Sequence, residues 1–227
     1  MKNILGVAVI GQSPRPDCEE LFKRGLNAED EVIVMGALDG LPDEEVHDFK
    51  PEPGEKILIA LDRQLAPITV PDKLVMSRMQ AVITELERAG ATMILINCSG
   101  RMQKFEASVP VLLPGDILEH TILAVAEGKK VGVLVPDEAQ IDGTFLQFEE
   151  LNTLPFVLSA SPFGPREKVT EALEKLKGYD PALIVMDCTS YDRTMKDLAR
   201  EITGKPVITA ESILLKILAE LSGKQEK

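Results

Sequence analysis

Two stretches of the chain, ELERAGATMILINCSG (85–100) and ALEKLKGYDPALIVMDCTS (172–190), run through the same order: the end of an amphipathic helix, a glycine, a short apolar strand, a cysteine, then small or hydroxyl residues. Earlier in each half, GVAVIGQSPRPD (6–17) loosely parallels GVLVPDEAQIDG (132–143), an apolar strand opening into a polar loop and a helix. The spacing differs slightly, with eight residues from Gly90 to Cys98 and ten from Gly178 to Cys188. A chain that repeats a supersecondary unit folds as related parts, so this repeat constrains the architecture more than composition does.

Between these landmarks, apolar runs alternate with amphipathic ones. Strands are expected at 4–10, 31–35, 56–61, 92–97, 130–135, 182–187 and 206–208, and helices at 17–26, 73–89, 116–126, 137–149, 165–176, 192–202 and 210–222. In KLVMSRMQAVITELERAG, the residues Leu74, Val75, Met79, Val82, Ile83 and Leu86 make one apolar stripe, and Gly90 is a natural stop. Strands alternating with helices predict parallel sheets. The expected fold is α/β, with two similar lobes, each a parallel sheet flanked by helices, related by a pseudo-twofold with a cleft between them. Lobe 1 is expected at 1–112 plus 208–227, and lobe 2 at 113–207. Extra residues at about 42–72, carrying Pro42, Pro51, Pro53, Pro67 and Pro71, read as an inserted short helix and a hairpin-like excursion.

A net charge of −12 argues against nucleic acid and anionic membranes as partners, since both need a cationic face. Trp is absent and aromatics are 4% of residues, which leaves little for base stacking. No apolar run has the length of a membrane span, and the short run 4–10 reads as a first strand rather than a signal peptide. Cys18, Cys98 and Cys188 lie far apart without CxxC spacing, and His47 and His120 are the only histidines. No disulfide framework or metal site is expected, and the reading is a cytoplasmic protein. There is no GxGxxG, GxxxxGK[ST] or GxSxG pattern, so no nucleotide cofactor is implied.

The repeat puts Cys98 and Cys188 at equivalent strand ends, where ligands bind in open α/β sheets. A free cysteine is often only a small buried hydrophobe, but two scarce residues in equivalent places favour chemistry. Two thiols facing each other across a cleft suit proton transfer at a stereocentre, one removing a proton as thiolate and the other donating one as thiol. Both are expected to precede helices, whose N-terminal dipole would favour thiolate. Ser99 and Gly100, and Thr189, Ser190 and Tyr191, offer hydroxyls and backbone N–H groups for a carboxylate, or for capping a helix. In the loop GQSPRPD, Gly11 permits close backbone approach and Ser13 can donate. Pro14 and Pro16 flank Arg15, whose guanidinium binds carboxylate bidentately; the alternative is an ion pair of Arg15 with Asp17 or a neighbouring acidic helix. Cys18, beside Glu19 and Glu20, reads as structural. Asp187 reads as orienting Cys188 or capping a backbone group.

IGQSPRPD, LINCSG, GVLVPDEAQ and MDCTSYDRTM together resemble the AroM family, over about residues 3–222. That family is similar to the aspartate/glutamate racemase superfamily, which includes hydantoin racemases, maleate isomerases and arylmalonate decarboxylases. The resemblance implies two α/β lobes with a cysteine from each at a shared cleft. It implies Cys98 and Cys188 as acid/base or nucleophilic thiols. It also implies the loop from Gly11 and Gln12 through Ser13 to Arg15, with Ser99 and Thr189, as contacts to a substrate carboxylate. Where AroM relatives tend to show Cys-Thr-Gly, this chain has Cys98-Ser99-Gly100. Where they tend to show Asp-Cys-Met-Gly-Tyr, it has Asp187-Cys188-Thr189-Ser190-Tyr191. The expectation is a cofactor-independent racemase or isomerase acting on a small carboxylate, with no metal. Homo-oligomerisation stays open. The alternatives are a single-thiol isomerase or decarboxylase, and a non-catalytic carboxylate-binding or regulatory protein.

Overall fold

The computed structural model describes residues 2–50, 52 and 54–224. Pro51 and Pro53 of the expected insertion, and residues 225–227 of the expected first lobe, lie outside the described residues. The chain divides into two compact units, Met1–Pro114 with Leu214–Lys227, and Gly115–Ile213.

The first unit contains β1 (Ile4–Val9), α1 (Pro16–Lys23), β2 (Glu31–Gly36), α2 (Asp43–His47), β3 (Ile57–Leu61), β4 (Pro67–Pro71), α3 (Asp72–Arg88), β5 (Met93–Asn97) and β6 (Val111–Leu112). Its four-stranded parallel sheet has the order β2-β1-β5-β6. The insertion forms the short helix α2 and the antiparallel hairpin β3–β4. The apolar stripe of α3 buries Val75, Met79, Ile83 and Leu86 among Ala8, Ile94 and Ile96 of the sheet and Leu58, Ala60, Ile68 and Val70 of the hairpin.

The second unit contains β7 (Lys130–Val135), α5 (Ile141–Glu150), β8 (Leu154–Ser159), α6 (Arg166–Gly178), β9 (Leu183–Met186), α7 (Arg193–Thr203) and β10 (Val207–Thr209), entered through α4 (Pro114–Ala126) and left through α8 (Ala210–Ser222). Its parallel sheet has the order β10-β9-β7-β8. Strand residues alternate between its two faces. Val131, Val133 and Val135 pack with Leu118, Ile122 and Phe148, and Leu134, Ile184 and Met186 pack with Val169, Leu173, Leu176 and Ala199. Helices therefore cover both faces, as an all-parallel sheet requires.

Taken by chain order within each unit, both sheets have the arrangement second-first-third-fourth. The registers extend the likeness to single residues. Gly6 pairs with Ile94 in the first sheet and Gly132 with Ile184 in the second. A Cβ on Gly6 would lie 3.2 Å from Leu86 of α3, and one on Gly132 would lie 2.8 Å from the Ile184 side chain and 3.3 Å from Leu176 of α6. In each unit the strand's glycine lets the helix that leads into the neighbouring strand pack closely.

Three strands are absent from the expected strand positions, although one of them, β4, lies in the segment expected to form a hairpin-like excursion. β4 begins and ends with proline, and β8 carries Pro155 at its second position. A proline argues against a central strand but is tolerated where one edge is free, and β8 lies at the edge of its sheet. β6 is only two residues long. The first expected helix stops at Lys23, and the expected helix at 137–149 opens as a 3₁₀ turn, Glu138–Gln140, with Asp137 accepting from the Ala139 N–H at 2.9 Å.

Candidate functional site

In a sheet whose strand order reverses between its first and third strands, loops leaving those strands diverge and open a crevice at their carboxyl ends. In the first unit these are the ends of β1, leading into residues 10–15, and of β5, leading into Cys98. In the second they are the ends of β7, leading into residues 136–140, and of β9, leading into Cys188. Counting from the paired isoleucines Ile94 and Ile184, each cysteine stands four residues further along. The cysteines are thus equivalent by strand register. The two-residue difference in the sequence spacing is absorbed before the strand.

The two turns share a local device. Gly100 N–H donates to the Cys98 sulfur at 3.4 Å, and Ser190 N–H donates to the Cys188 sulfur at 3.4 Å. A backbone donor two residues on stabilises negative charge on sulfur. Cys98 is buried at 9% exposure and Ser99 beside it at 7%. Cys188 and its followers Thr189 and Ser190 are half-buried. Burial pushes the Cys188 thiol up to about 11; the Ser190 hydrogen bonds oppose this and the charge of Asp187 adds to it. Cys188 therefore carries its proton near neutral pH.

The expectation that both cysteines precede helices holds for one of them. After Cys188 the chain reaches α7 within five residues, where Asp192 caps the helix by accepting from Met195 N–H at 2.9 Å. After Cys98, residues 98–110 form no helix. No helix directly follows Cys98, and a backbone donor of the turn, the Gly100 N–H, reaches its sulfur. Tyr191 is fully buried in the core of the second unit, and its hydroxyl donates to the Ala160 carbonyl at 2.6 Å. It anchors the 187–192 loop to the end of β8.

In the loop 11–15, a Cβ on Gly11 would lie 1.9 Å from the Leu61 carbonyl oxygen. The close approach that this glycine permits is made by the hairpin: the neighbouring Gln12 N–H donates to that same carbonyl at 3.1 Å. Gln12 is fully buried. Ser13 gives its N–H and its hydroxyl to the Asp39 carboxylate, at 2.7 and 2.6 Å, and Gly36 N–H donates to the same group at 2.7 Å. Arg15 is 6% exposed and forks onto Asp17, with Nε and Nη2 donating at 2.8 and 2.6 Å. Burial opposes charge on Asp17, but the Arg15 hydrogen bond and charge outweigh it and hold the carboxyl below its usual range. The donors of this loop thus already hold carboxylates, both from the chain itself. By the same register the second unit has Ala139 and Ile141 where the first has Ser13 and Arg15, and Asp137 and Glu138 where it has Gly11 and Gln12, so the serine and the arginine suited to an anion belong to the first unit's loop.

Two participants escaped the sequence reading. Asp39 had a signal, the turn-forming Asp39-Gly40 after a strand; Gly40 has φ +81°. Asn97 had none. It ends β5 immediately before Cys98, and its amide donates to the buried sulfur of Cys18 at 3.2 Å. Burial pushes that thiol up to about 12, so Cys18 is a packed, protonated group. His120, on α4, has Nδ1 2.7 Å from the Asp116 carbonyl.

Among solved structures, the whole fold is similar to the aspartate racemase of Picrophilus torridus (TM-score 0.57, 13% identity, covering 99% of this chain and 96% of that one). It is also similar to an arylmalonate decarboxylase (TM-score 0.61, 12% identity, covering 99% and 94%), and to the maleate isomerase Iso from Pseudomonas putida S16 (TM-score 0.60, 15% identity, covering 97% and 93%). These likenesses define the class, a racemase-like α/β fold built of two related halves. No curated protein matches the sequence. The model of the AroM protein family matches residues 5–222, and the chain belongs to that family. Among the described residues, no helix is long and apolar enough to cross a membrane.

Proposed function

We propose that this AroM protein is a cofactor-independent racemase- or isomerase-like enzyme that moves a proton at the carbon next to a carboxylate, with Cys98 and Cys188 as the groups that touch that carbon. The observation that carries the reading is the register: two of the chain's three cysteines stand at equivalent positions beyond equivalent strands of the two sheets. The activities by which the fold relatives are named, racemisation, isomerisation and decarboxylation, support it as a class.

In the two-thiol form, the Cys98 thiolate accepts the α-proton and the electron pair passes into the carboxylate as an enediolate. Cys188 then gives its proton to the other face of the carbon and is left as thiolate, and reversal or exchange with water resets the pair. The protonated state of Cys188 suits the donor half of this cycle. It also favours a second reading, in which Cys188 alone protonates a carbanion formed by another bond cleavage, such as decarboxylation.

The substrate carboxylate would be held by Ser99, Gly100, Thr189 and Ser190, joined by Ser13 and Arg15 once these exchange Asp39 and Asp17 for the substrate. Gly11 and Gln12 shape the loop against the hairpin, and Tyr191 fixes the turn after Cys188. The test is solvent-deuterium incorporation at the α-carbon across a panel of small mono- and dicarboxylates. The proposal expects at least one to exchange, with loss in Cys98→Ser and Cys188→Ser. Loss in Cys188→Ser alone selects the single-thiol reading. Exchange that survives loss of both cysteines overturns the thiol chemistry. Arg15-dependent binding without exchange of any compound replaces the enzyme with a carboxylate-binding protein.

A further inference from the structure

The third cysteine takes no part in that chemistry, yet it touches both arms of the first unit's site. Cys18 is the third residue of α1 and is 2% exposed. Its sulfur accepts from Asn97 Nδ2 at 3.2 Å and lies 3.9 Å from Asp17 Oδ2, to which its S–H can donate. Asp17 is the carboxylate gripped by the buried Arg15. On the other side, Asn97 is the last residue of β5, paired with Val9 across the sheet. Directly after it the strand turns, with Cys98 N–H donating to Ile96 O at 2.8 Å. The Asn97 Oδ1 atom is buried and accepts no hydrogen bond among the described residues. The contact to sulfur is therefore the polar tie that decides which way this amide faces.

We propose that Cys18 is a positioning residue: through Asn97 it fixes the exit of β5 and hence the seat of the Cys98 thiol, and through Asp17 and Arg15 it latches that exit to the 11–15 loop. The second unit has no cysteine besides Cys188 to play this part. The residue equivalent to Asn97 is Asp187, a carboxylate whose backbone N–H is tied to Leu134 O at 2.9 Å. The two cysteine turns are thus held by different means, and only the first depends on a third thiol. A buried thiol is a weak donor and a weak acceptor, which suits a tie that must span two elements without adding charge beside Cys98. The inference rests on Cys98 being the functional thiol, but its test needs no substrate.

The experiment measures, by peptide mass spectrometry, the iodoacetamide alkylation rates of Cys98 and Cys188 in the full chain from about pH 6 to 10, the range that brackets thiol ionisation. Cys188 reports on general loosening. In Cys18→Ala, the Cys98 rate is expected to depart from that of the parent by roughly threefold or more, the scale of one lost hydrogen bond, while Cys188 stays within about twofold. Cys18→Ser, which restores an acceptor, is expected to bring Cys98 back within that margin. If Cys18→Ala does not fold, Asn97→Ala cuts the same bond from its other end. A Cys98 profile that ignores the cut, a parallel change at Cys188, or a serine that behaves like alanine overturns the proposal. Failure to find turnover leaves this result standing, and normal turnover with an unmoved Cys98 removes Cys18 while sparing the mechanism.

Discussion

The turns at Cys98 and Cys188 leave equivalent strands of two different sheets and give their sulfurs the same kind of backbone hydrogen bond, yet they stand in different electrostatic settings. Before Cys98 comes a neutral amide pinned to a buried thiol; before Cys188 comes a carboxylate whose charge helps hold the thiol protonated. A helix follows Cys188 and none follows Cys98. The loop beside Cys98 presents a serine and an arginine, each already on a carboxylate, and its counterpart in the second unit presents two acids. A duplicated backbone thus supplies two equivalent seats, and the side chains one residue away, an amide in one and a carboxylate in the other, give them different surroundings.

The most severe way to break the comparison is to remove the sulfurs. Cys188→Ser is expected to lower α-proton exchange by about 10²–10⁴-fold, the usual worth of one general acid–base group. Cys98→Ser should do the same in at least one direction of reaction. Equal, small losses from both would mean that the seats are alike in geometry only.

Next in size is the backbone contact that holds the first unit's loop. Gly11→Ala sets a methyl group against the Leu61 carbonyl, which cannot move without displacing β3, and is expected to cost about 3 kcal/mol in urea unfolding. Gly100→Ala meets nothing nearer than 3.5 Å and should cost under about 1 kcal/mol. Similar costs at the two glycines would refute the tight seat of the loop on the hairpin.

Alkaline stability separates the buried thiols. Those of Cys18 and Cys188 rise from 9.0 to about 12 and about 11 in the folded chain. Above about 9 the unfolded chain releases protons that the folded chain keeps, so the stability tied to these groups is complete below that value and is lost as pH climbs through the window to 11–12. For Cys188 the loss is on the order of 2 kcal/mol. Urea midpoints measured across this range should fall less steeply in Cys188→Ala, and less steeply again when Cys18 is also replaced. An unchanged slope would show that neither thiol is held protonated by the fold.

The smallest expected effect is the most diagnostic. Asp187→Asn makes the second turn resemble the first. Removing the negative neighbour lowers the Cys188 pKa, because the thiolate no longer faces a like charge. Alkylation of Cys188 near pH 8 should rise about threefold to tenfold, with Cys98 unmoved. No change would assign the protonated state to burial alone.

Much of this is legible in the chain itself. Seven strands, the helices and the equivalence of Cys98 and Cys188 follow from periodicity and from the repeat, because each is a local pattern in which apolar spacing matches the period of its element. Proline hid β8 and left β4 legible only as part of a hairpin-like excursion, since whether a proline is tolerated depends on which side of a strand is left unpaired, and that is known only once the sheet exists. The helix expected after Cys98 failed for a related reason: the chain runs on without one to the edge strand β6, and its path there is a matter of packing.

What the tertiary structure alone decided is where the polar side chains spend their hydrogen bonds. In sequence Ser13 reads as an open donor, and Arg15 as either a carboxylate donor or the ion-pair partner of Asp17. The fold brings Asp39 to the serine from 26 residues away, and local geometry turns Asp17 onto the arginine. The glycine expected to admit a ligand admits the hairpin's backbone instead. Asn97 and Cys18, 79 residues apart, meet only because α1 and β5 belong to the same packed unit. Sequence carries the period of each element, and hence the sheet, the repeat and the placing of the cysteines. The partners of buried polar groups are set by contacts between distant segments, because a buried donor or acceptor must be satisfied by whatever the fold places beside it.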